Sequence, residues 1–427
     1  MKKVKSFFGR CKSVVFFYVF LKACIFHIKA FPSLARNIIR TRSIYKKKYF
    51  GKVICPFYNE AIGPMAEFAE LSLRRMKVKN MNPKKDVVFI TDSDSCNVQL
   101  RKMFERETVL EKDPRLYRAL LGGGRIYLKM IGRLFDDHLK NGTIFYPQSS
   151  LNFHFTSSEK LKGRRLLKRL GVKPKDTFVV VHNKDDIYWK EYRGKNKLWD
   201  SYRNTDFSDL HPCISHLQDL GIKVIRSGHY EDAEGDLPYI SLNSLEEDDK
   251  AFIDVYIQKH CLFSVNGGSG IAWIPYLFKK PVLFHNFIPM GESPALEDGI
   301  MIPKLLRWKK TGKFLTISEM LEIKEVLGCF EKGVYRIRNV SADAFQSSNL
   351  YRRNGIEPID NPPGDVLQGI VEMLQYVKGE LHLEDKQREM QEKFKESFPV
   401  GHPMRHFMGF VSPSFLSKHQ DLIDCCR

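Results

Sequence analysis

Thr177-Phe-Val-Val-Val-His182 is continuously apolar and mostly β-branched, the pattern of a strand buried on both faces of a parallel sheet. Outward from it, elements alternate. A helix over about Ser157–Leu170 precedes it and stops at Gly171. Downstream the spacing predicts a helix near Asp209–Leu220, a strand Lys223-Val-Ile-Arg-Ser-Gly228, a helix near Asp248–Lys259 and a strand Cys261-Leu-Phe-Ser-Val265. A glycine loop, a helix Ile271–Phe278 and a strand Pro281-Val-Leu-Phe-His-Asn286 follow. Strands alternating with helices imply parallel βαβ units.

The same alternation, less regular, runs upstream. Lys52-Val-Ile-Cys-Pro-Phe57 reads as a first strand, followed by a loop with Gly63-Pro64 and a helix to about Lys79. Asp86-Val-Val-Phe-Ile-Thr91 reads as a second strand and Asn97–Glu107 as a helix. Gly122-Gly-Gly124 precedes a helical pattern that stops at Asn141-Gly142. A chain of 427 residues is long enough for two α/β domains and too long for one core. The expected division is an arm over 1–50, a Rossmann-like domain over 51–160, a second Rossmann-like, nucleotide-type domain over 175–360, and a charged helical tail over 361–427. The last helices are expected to pack back on the first domain.

The net charge of +19 is concentrated. Residues 1–50 carry 13 Lys/Arg and no acid, which leaves 56 basic against 50 acidic residues elsewhere. No nucleic-acid motif accompanies that charge, and a basic arm mixed with aromatics suits an anionic membrane surface. The apolar run Val14–Leu21 is interrupted by Lys22 and Lys29, which share one face of a helix ending before Pro32. This reads as an amphipathic helix lying in the interface; a true span and a signal peptide fit less well, since no small-residue cleavage site follows. Nine scattered cysteines without a CxxC indicate a reduced chain with no zinc framework.

Four segments carry chemistry. Asn266-Gly-Gly-Ser-Gly270 follows a buried strand and opens a helix. Amides without side chains, at Gly267, Gly268, Ser269 and Gly270, suit a diphosphate; a tight turn needing glycine is the plainer reading. His182-Asn-Lys-Asp-Asp-Ile-Tyr188 lies at a strand's carboxyl end, where open α/β sheets bind ligands. There Lys184 can neutralise phosphate, and His182 or Asp185 can meet sugar hydroxyls or carry a proton. Tyr202-Arg-Asn-Thr-Asp206 offers Arg203 for bidentate phosphate contact beside Tyr202 and Asn204, in a loop with Tyr188, Trp189, Tyr192 and Trp199. Arg226 and Gly228 end the next strand and point to the same crevice. Thr91-Asp-Ser-Asp-Ser95 contains a DxD, for which helix capping is favoured over a metal.

In combination these segments resemble a family of bacterial glycosyltransferases encoded in surface-polysaccharide gene clusters, over residues 51–420. The matching pieces are Asn59-Glu-Ala-Ile-Gly63, Phe178–His182 with Asp185, Tyr202–Asp206, Val224–Gly228, Gly268-Ser-Gly270 with Ile274-Pro275, Pro281–Asn286 with Pro289, Pro303-Lys304, and Ser414-Phe-Leu. The family pattern has Arg where this chain has Lys184. The resemblance implies a GT-B-like fold and transfer of a sugar from a nucleotide-sugar to a polysaccharide or lipid-linked saccharide acceptor. No cofactor is expected, the donor being a substrate, and no metal, because the glycine loop with Lys184, Arg203 and Arg226 can stabilise the leaving diphosphate. Glu60, Asp185 and His182 are the candidates for the proton-accepting role. A GT-B-shaped sugar-nucleotide epimerase or hydrolase and an inactive membrane-bound scaffold are the alternatives. The expected location is cytoplasmic, peripheral on the inner face of the membrane, with no nucleic-acid partner.

Overall fold

The computed structural model describes residues 32–135, 153–188, 190, 198–231, 238–288, 299–322, 329–331, 334–336, 348–398 and 403–423. The chain forms two compact units. The first comprises 1–60, 76–94 and 107–136; the second comprises 61–75, 95–106 and 137–427. The interfacial helix expected before Pro32 and the helix stop at Asn141-Gly142 lie outside the described residues.

In the first unit, α1 (32–48) leads into β1 (Val53–Pro56). β1 pairs in parallel with β2 (Val87–Thr91), and β2 with β3 (Leu110–Lys112). All five β2 residues are buried, as the apolar run dictates. The end of the basic arm is built into this core. Tyr45 and Tyr49 pack with Ile54, Val88 and Ile90. Tyr49 Oη donates to Glu111 (3.0 Å) and Asp113 (3.2 Å), fixing the end of α1 to the β3 segment. The triple glycine is the seat of α1. A Cβ at Gly124 would overlap Thr41 Oγ1, and one at Gly123 would overlap Leu34 O. α4 (Pro114–Leu120) and α5 (Gly124–Met130) flank this seat.

The second unit takes in the start of α2 (Ile62–Val78), most of α3 (Val98–Glu107) and α6 (Ser157–Arg169). Its six-stranded sheet contains β4 (Phe178–His182), β5 (Lys223–Arg226), β6 (Ser264–Asn266), β7 (Val282–Phe287), β8 (Gly299–Pro303) and β13 (Phe410–Val411). The order is β13-β8-β7-β6-β4-β5 and every pairing is parallel. α7 (His211–Asp219), α8 (Glu247–His260) and α9 (Trp273–Leu277) lie in the connections. Beyond β8 come β9 (Leu305–Trp308), α10 (Ile317–Glu322), the pair β10 (Cys329–Glu331) and β11 (Val334–Arg336), and β12 (Ile356–Ile359), which returns antiparallel on β9. The chain leaves β4 for β5 on one side and returns to β6 on the other. β4 and β6 therefore bound the point where loops diverge and leave a crevice.

The tail belongs to the second unit. The helix Pro363–Lys378 packs on α7, β7 and β8, and β13 extends the six-stranded sheet at its edge. The last helices thus complete the second unit's core. The reason is their composition: Val366, Ile370, Met373 and Leu374 form a buried stripe that needs an apolar sheet face.

Asn361, at the entry to that tail, holds the end of β7. Its Oδ1 accepts from Asn286 N and its own N–H donates to Asn286 Oδ1, both at 2.6 Å, while its Nδ2 donates to Pro303 O at 2.9 Å. Asn286 sits at φ 51°, a left-handed conformation that this exchange stabilises. Asn361→Ala leaves a buried N–H and a buried carbonyl unpaired, so chemical denaturation should show a loss of about 3 kcal/mol. An unchanged denaturation midpoint would contradict this account.

Candidate functional site

The carboxyl ends of β4, β5, β6 and β7 carry most of the residues singled out above. His182 closes β4 opposite Asn266 of β6. Its carbonyl accepts from Gly267 N at 3.2 Å, and its Nδ1 lies 2.9 Å from Ser227 O. A carbonyl only accepts, so Nδ1 carries the proton and Nε2 keeps its lone pair. Gly228, at φ 94°, has no Cβ because His182 occupies that space, 2.7 Å away. Burial, reinforced by Arg226 and Lys184, lowers the His182 pKa to about 4. The ring is a neutral acceptor at pH 7. Gly228 N donates to the buried carboxylate of Asp254 at 3.2 Å, and burial raises that pKa to about 6.

The cations expected at phosphate are engaged by the protein itself. Lys184 is buried, with Nζ 3.2 Å from Asn204 Oδ1, 3.3 Å from Asp185 O and 3.9 Å from Asp186. It ties the 183–186 loop to the 202–205 loop. Asn183 reinforces the tie by donating to Thr205 O at 3.1 Å. Arg226 donates to Tyr239 Oη (2.9 Å) and Asn183 Oδ1 (3.4 Å), and its guanidinium lies 3.7 Å over the Phe207 ring and 4.2 Å over Tyr230. The site around it is aromatic and closed. Arg203 donates to Tyr202 Oη at 2.9 Å, and Tyr202 is buried against Tyr351. Asp185 caps a turn through Ile187 N at 3.1 Å; burial raises its pKa, with that bond opposing. Trp189 and Tyr192 lie outside the described residues.

The glycine loop departs from the expected strand–loop–helix. The helix is only Trp273–Leu277, entered through a 3-10 turn Gly270–Ala272. Its dipole is correspondingly short. Gly270 is bare because Gly63 packs on it, backbone to backbone: a Cβ on Gly270 would lie 2.9 Å from Gly63 Cα. Gly268 has φ 65° and open space around it, so a turn explains its identity. Ser269 caps the 3-10 turn without a side-chain bond. Gly267 differs, since a Cβ there would reach Thr205 Oγ1 (3.2 Å) and His285 Nε2 (3.4 Å).

Glu60 lies in the first unit, with Tyr58 Oη 3.5 Å away. Its neighbour Asn59 clamps the DxD loop: Oδ1 accepts from Thr91 (2.7 Å) and Ser93 (3.0 Å), and Nδ2 donates to Ser93 O (3.1 Å). Asp94 pairs with Lys112 at 2.8 Å. The cap of α3 is Asn97, whose Oδ1 accepts from Leu100 N at 2.9 Å, and not a DxD residue. Among the described residues, no group of three His, Cys, Asp or Glu side chains is arranged to hold a metal ion.

The structure adds residues that motif reading passed over. Lys304 is 3% exposed and donates to Tyr202 O (3.0 Å) and Asn204 O (3.2 Å), with Asp360 at 2.5 Å as its counter-ion. Thr205 and His285 border Gly267. Thr205 lies inside a quoted motif and His285 inside a quoted strand, but sequence spacing does not show that they meet.

No protein-family model and no curated protein matches the chain. Solved structures similar to it include the E. coli ADP-heptose LPS heptosyltransferase II, at 10% identity over 55% of this chain and 84% of that one, TM-score 0.35. A family 9 glycosyl transferase from Veillonella parvula is similar at 8% identity over 76% and 97%, TM-score 0.42. The iron-containing heptosyltransferase TibC of enterotoxigenic E. coli, in complex with ADP-D-beta-D-heptose, is similar at 11% identity over 76% and 77%, TM-score 0.36.

His182 and His229 (pKa about 4), His260 (about 4) and His285 (about 3) are each lowered first by burial. The unfolded chain takes up these protons near its ordinary value of about 6.5. The second unit's stability should therefore be full above about pH 6.5 and fall as pH drops toward 4. Denaturation midpoints measured across that window check the sign; a midpoint that rises on acidification would refute it.

Proposed function

We propose that the chain is a GT-B-like glycosyltransferase, with two Rossmann-like domains, that moves a sugar from a nucleotide-sugar donor to a surface-polysaccharide or lipid-linked acceptor. The observation that carries this reading is the convergence of the 183–186, 202–205, 227–228 and 267–270 loops on the β4–β6 divergence. Such a crevice binds nucleotide diphosphates in open parallel sheets. In the transfer the bond from the sugar's anomeric carbon to the diphosphate breaks, its electron pair leaving on the phosphate oxygen. The acceptor oxygen bonds that carbon and gives its proton to a base. Stabilising the developing charge is the main task of the site, and fixed donors do so without reorganising. Buried Lys184 and Lys304 set a positive potential there, although each is held by protein partners. His182 Nε2, Asp185 and Glu60 are the proposed proton acceptors. His182 presents a lone pair, and Asp185 gains basicity from burial.

No cofactor or metal enters the proposed reaction. The test is calorimetry of the full-length protein against GDP-, UDP-, ADP-, dTDP- and CMP-sugars, with and without excess chelator. One donor class should bind, with unchanged affinity under chelation. Arg203→Ala should weaken that binding by roughly 1.5–3 kcal/mol, the worth of a charged hydrogen bond. Failure of all five donors to bind would remove the transferase reading; restoration of binding by Mn²⁺ after chelation would return the metal question to Asp92 and Asp94.

The protein is further proposed to work in the cytoplasm, peripheral on an anionic membrane face. No helix among the described residues is long and apolar enough to cross a membrane. Arg36, Ile39 and Arg40 of α1, with Arg115 and Arg118, line an open groove of about 840 Å³ that pairs cations with apolar surface. Liposome flotation should fall when residues 1–31 are removed, and fall further with Arg36→Glu and Arg40→Glu. Equal flotation of all three proteins would refute the membrane role.

A further inference from the structure

Thr205 Oγ1 and His285 Nε2 are buried polar atoms with no hydrogen-bond partner. Thr205 is 7% exposed and His285 1%. Both border one spot, the place where Gly267 would carry a Cβ, at 3.2 and 3.4 Å. Gly267 does not need glycine for its backbone, since it is not among the residues with positive φ. The space in front of its Cα is what the missing side chain leaves.

The neighbours fix what each atom offers. Asn286 Oδ1 accepts from Asn361 N at 2.6 Å, which sets the amide orientation. Asn286 Nδ2 therefore donates to His285 Nδ1, 3.2 Å away. With Nδ1 accepting, the proton of this neutral imidazole sits on Nε2, which faces Gly267 as a donor. Thr205 is held at both main-chain ends: its N–H donates to Lys184 O at 3.0 Å and its carbonyl accepts from Asn183 at 3.1 Å. Its hydroxyl is free to donate toward the same spot. Two fixed donors with nothing to receive them are a standing cost that an incoming acceptor would remove.

We infer that Thr205 and His285 form a neutral two-donor seat over Gly267 for a phosphoryl oxygen of the ligand. The cation acting on His285 at neutral pH is Lys304, whose positive charge, though paired with Asp360, favours an anionic oxygen over a neutral carbonyl. Identifying that phosphoryl group with the donor's diphosphate rests on the transferase reading; the seat itself rests on the geometry.

The experiment uses the full-length protein with inorganic pyrophosphate as the first probe and the five nucleotide-sugars as the second. Thr205→Val and Gly267→Ala should each weaken pyrophosphate binding roughly five- to tenfold, the worth of one neutral hydrogen bond. His285→Leu should do the same and His285→Gln should recover most of it, because the glutamine amide places a donor near the Nε2 position. Thr205→Val should also leave the ligand-free melting temperature unchanged or raised, since the hydroxyl has no partner to lose. A lowered melting temperature with unchanged affinity would make Thr205 structural and overturn the seat. So would wild-type affinity in all variants, or no pyrophosphate binding by the wild type. Pyrophosphate bound through the seat without any nucleotide-sugar would sustain the seat and end the transferase reading. Nucleotide-sugars bound equally by wild type and variants would do the reverse.

Discussion

The second unit's functional edge depends on one residue's hydrogen bonds. His182 belongs to β4, holds the glycine loop after β6 through its carbonyl, and holds the turn after β5 through its ring. Three strand ends that are far apart in sequence, at 182, 227 and 267, are joined by that one side chain and its carbonyl. The other ties are arranged around it. Gly228 is bare so that the ring fits, Asp254 secures Gly228 N, and Gln258 Nε2 lies 3.5 Å from Ser227 Oγ. A protonated ring would keep the Ser227 bond and lose the Nε2 lone pair. Burial beside Arg226 and Lys184 opposes that protonation.

The main sheet was legible because burial on both faces leaves an unambiguous pattern. β4, β5 and β7 begin or end within two residues of where apolar runs place them. β3 was not legible, as its three residues are half-exposed or exposed and pair only because β2 lies beside them. β13 is two residues long and exists through its pairing with β8. The start of α2 and residues 95–106 cluster with the second unit although they precede residue 150, and a linear reading has no signal for that. The triple glycine at 122–124 was visible as a helix start, yet its cause is the close approach of α1, through Leu34 O and the side chains of Asn37 and Thr41, more than seventy residues upstream.

The candidate site was legible as a set of loops and not as a set of contacts. Charge alone marked Lys184, Arg203 and Arg226 as phosphate ligands. In the fold, Arg226 is enclosed by Phe207, Tyr230 and Tyr239, and Lys184 is bound to Asn204. Buried cations need partners, and the nearest polar groups supply them. Lys304, quoted only within a matching segment, does comparable work by carrying the main chain at 202 and 204. These cations therefore act on a ligand mainly through their field and through the loop positions that they fix.

That division fits the neutrality of the two unpaired groups beside Gly267, Thr205 Oγ1 and His285 Nε2. A buried cation without a partner would lose several kcal/mol of solvation, so the fold pairs Lys304 with Asp360 and encloses Arg226 in aromatic rings. An unpaired hydroxyl or imidazole N–H costs far less, and a rigid sheet edge can carry two of them. Thr205 and His285 are held in place by Lys184, Asn183 and Asn286, residues that are themselves bonded within the protein. The positive potential comes from cations whose own bonds are made within the protein, and direct contact is left to neutral donors. Such an edge attracts an anion without first having to break an ion pair, and its donors stay charge-neutral across the physiological pH range because burial keeps both His182 and His285 unprotonated.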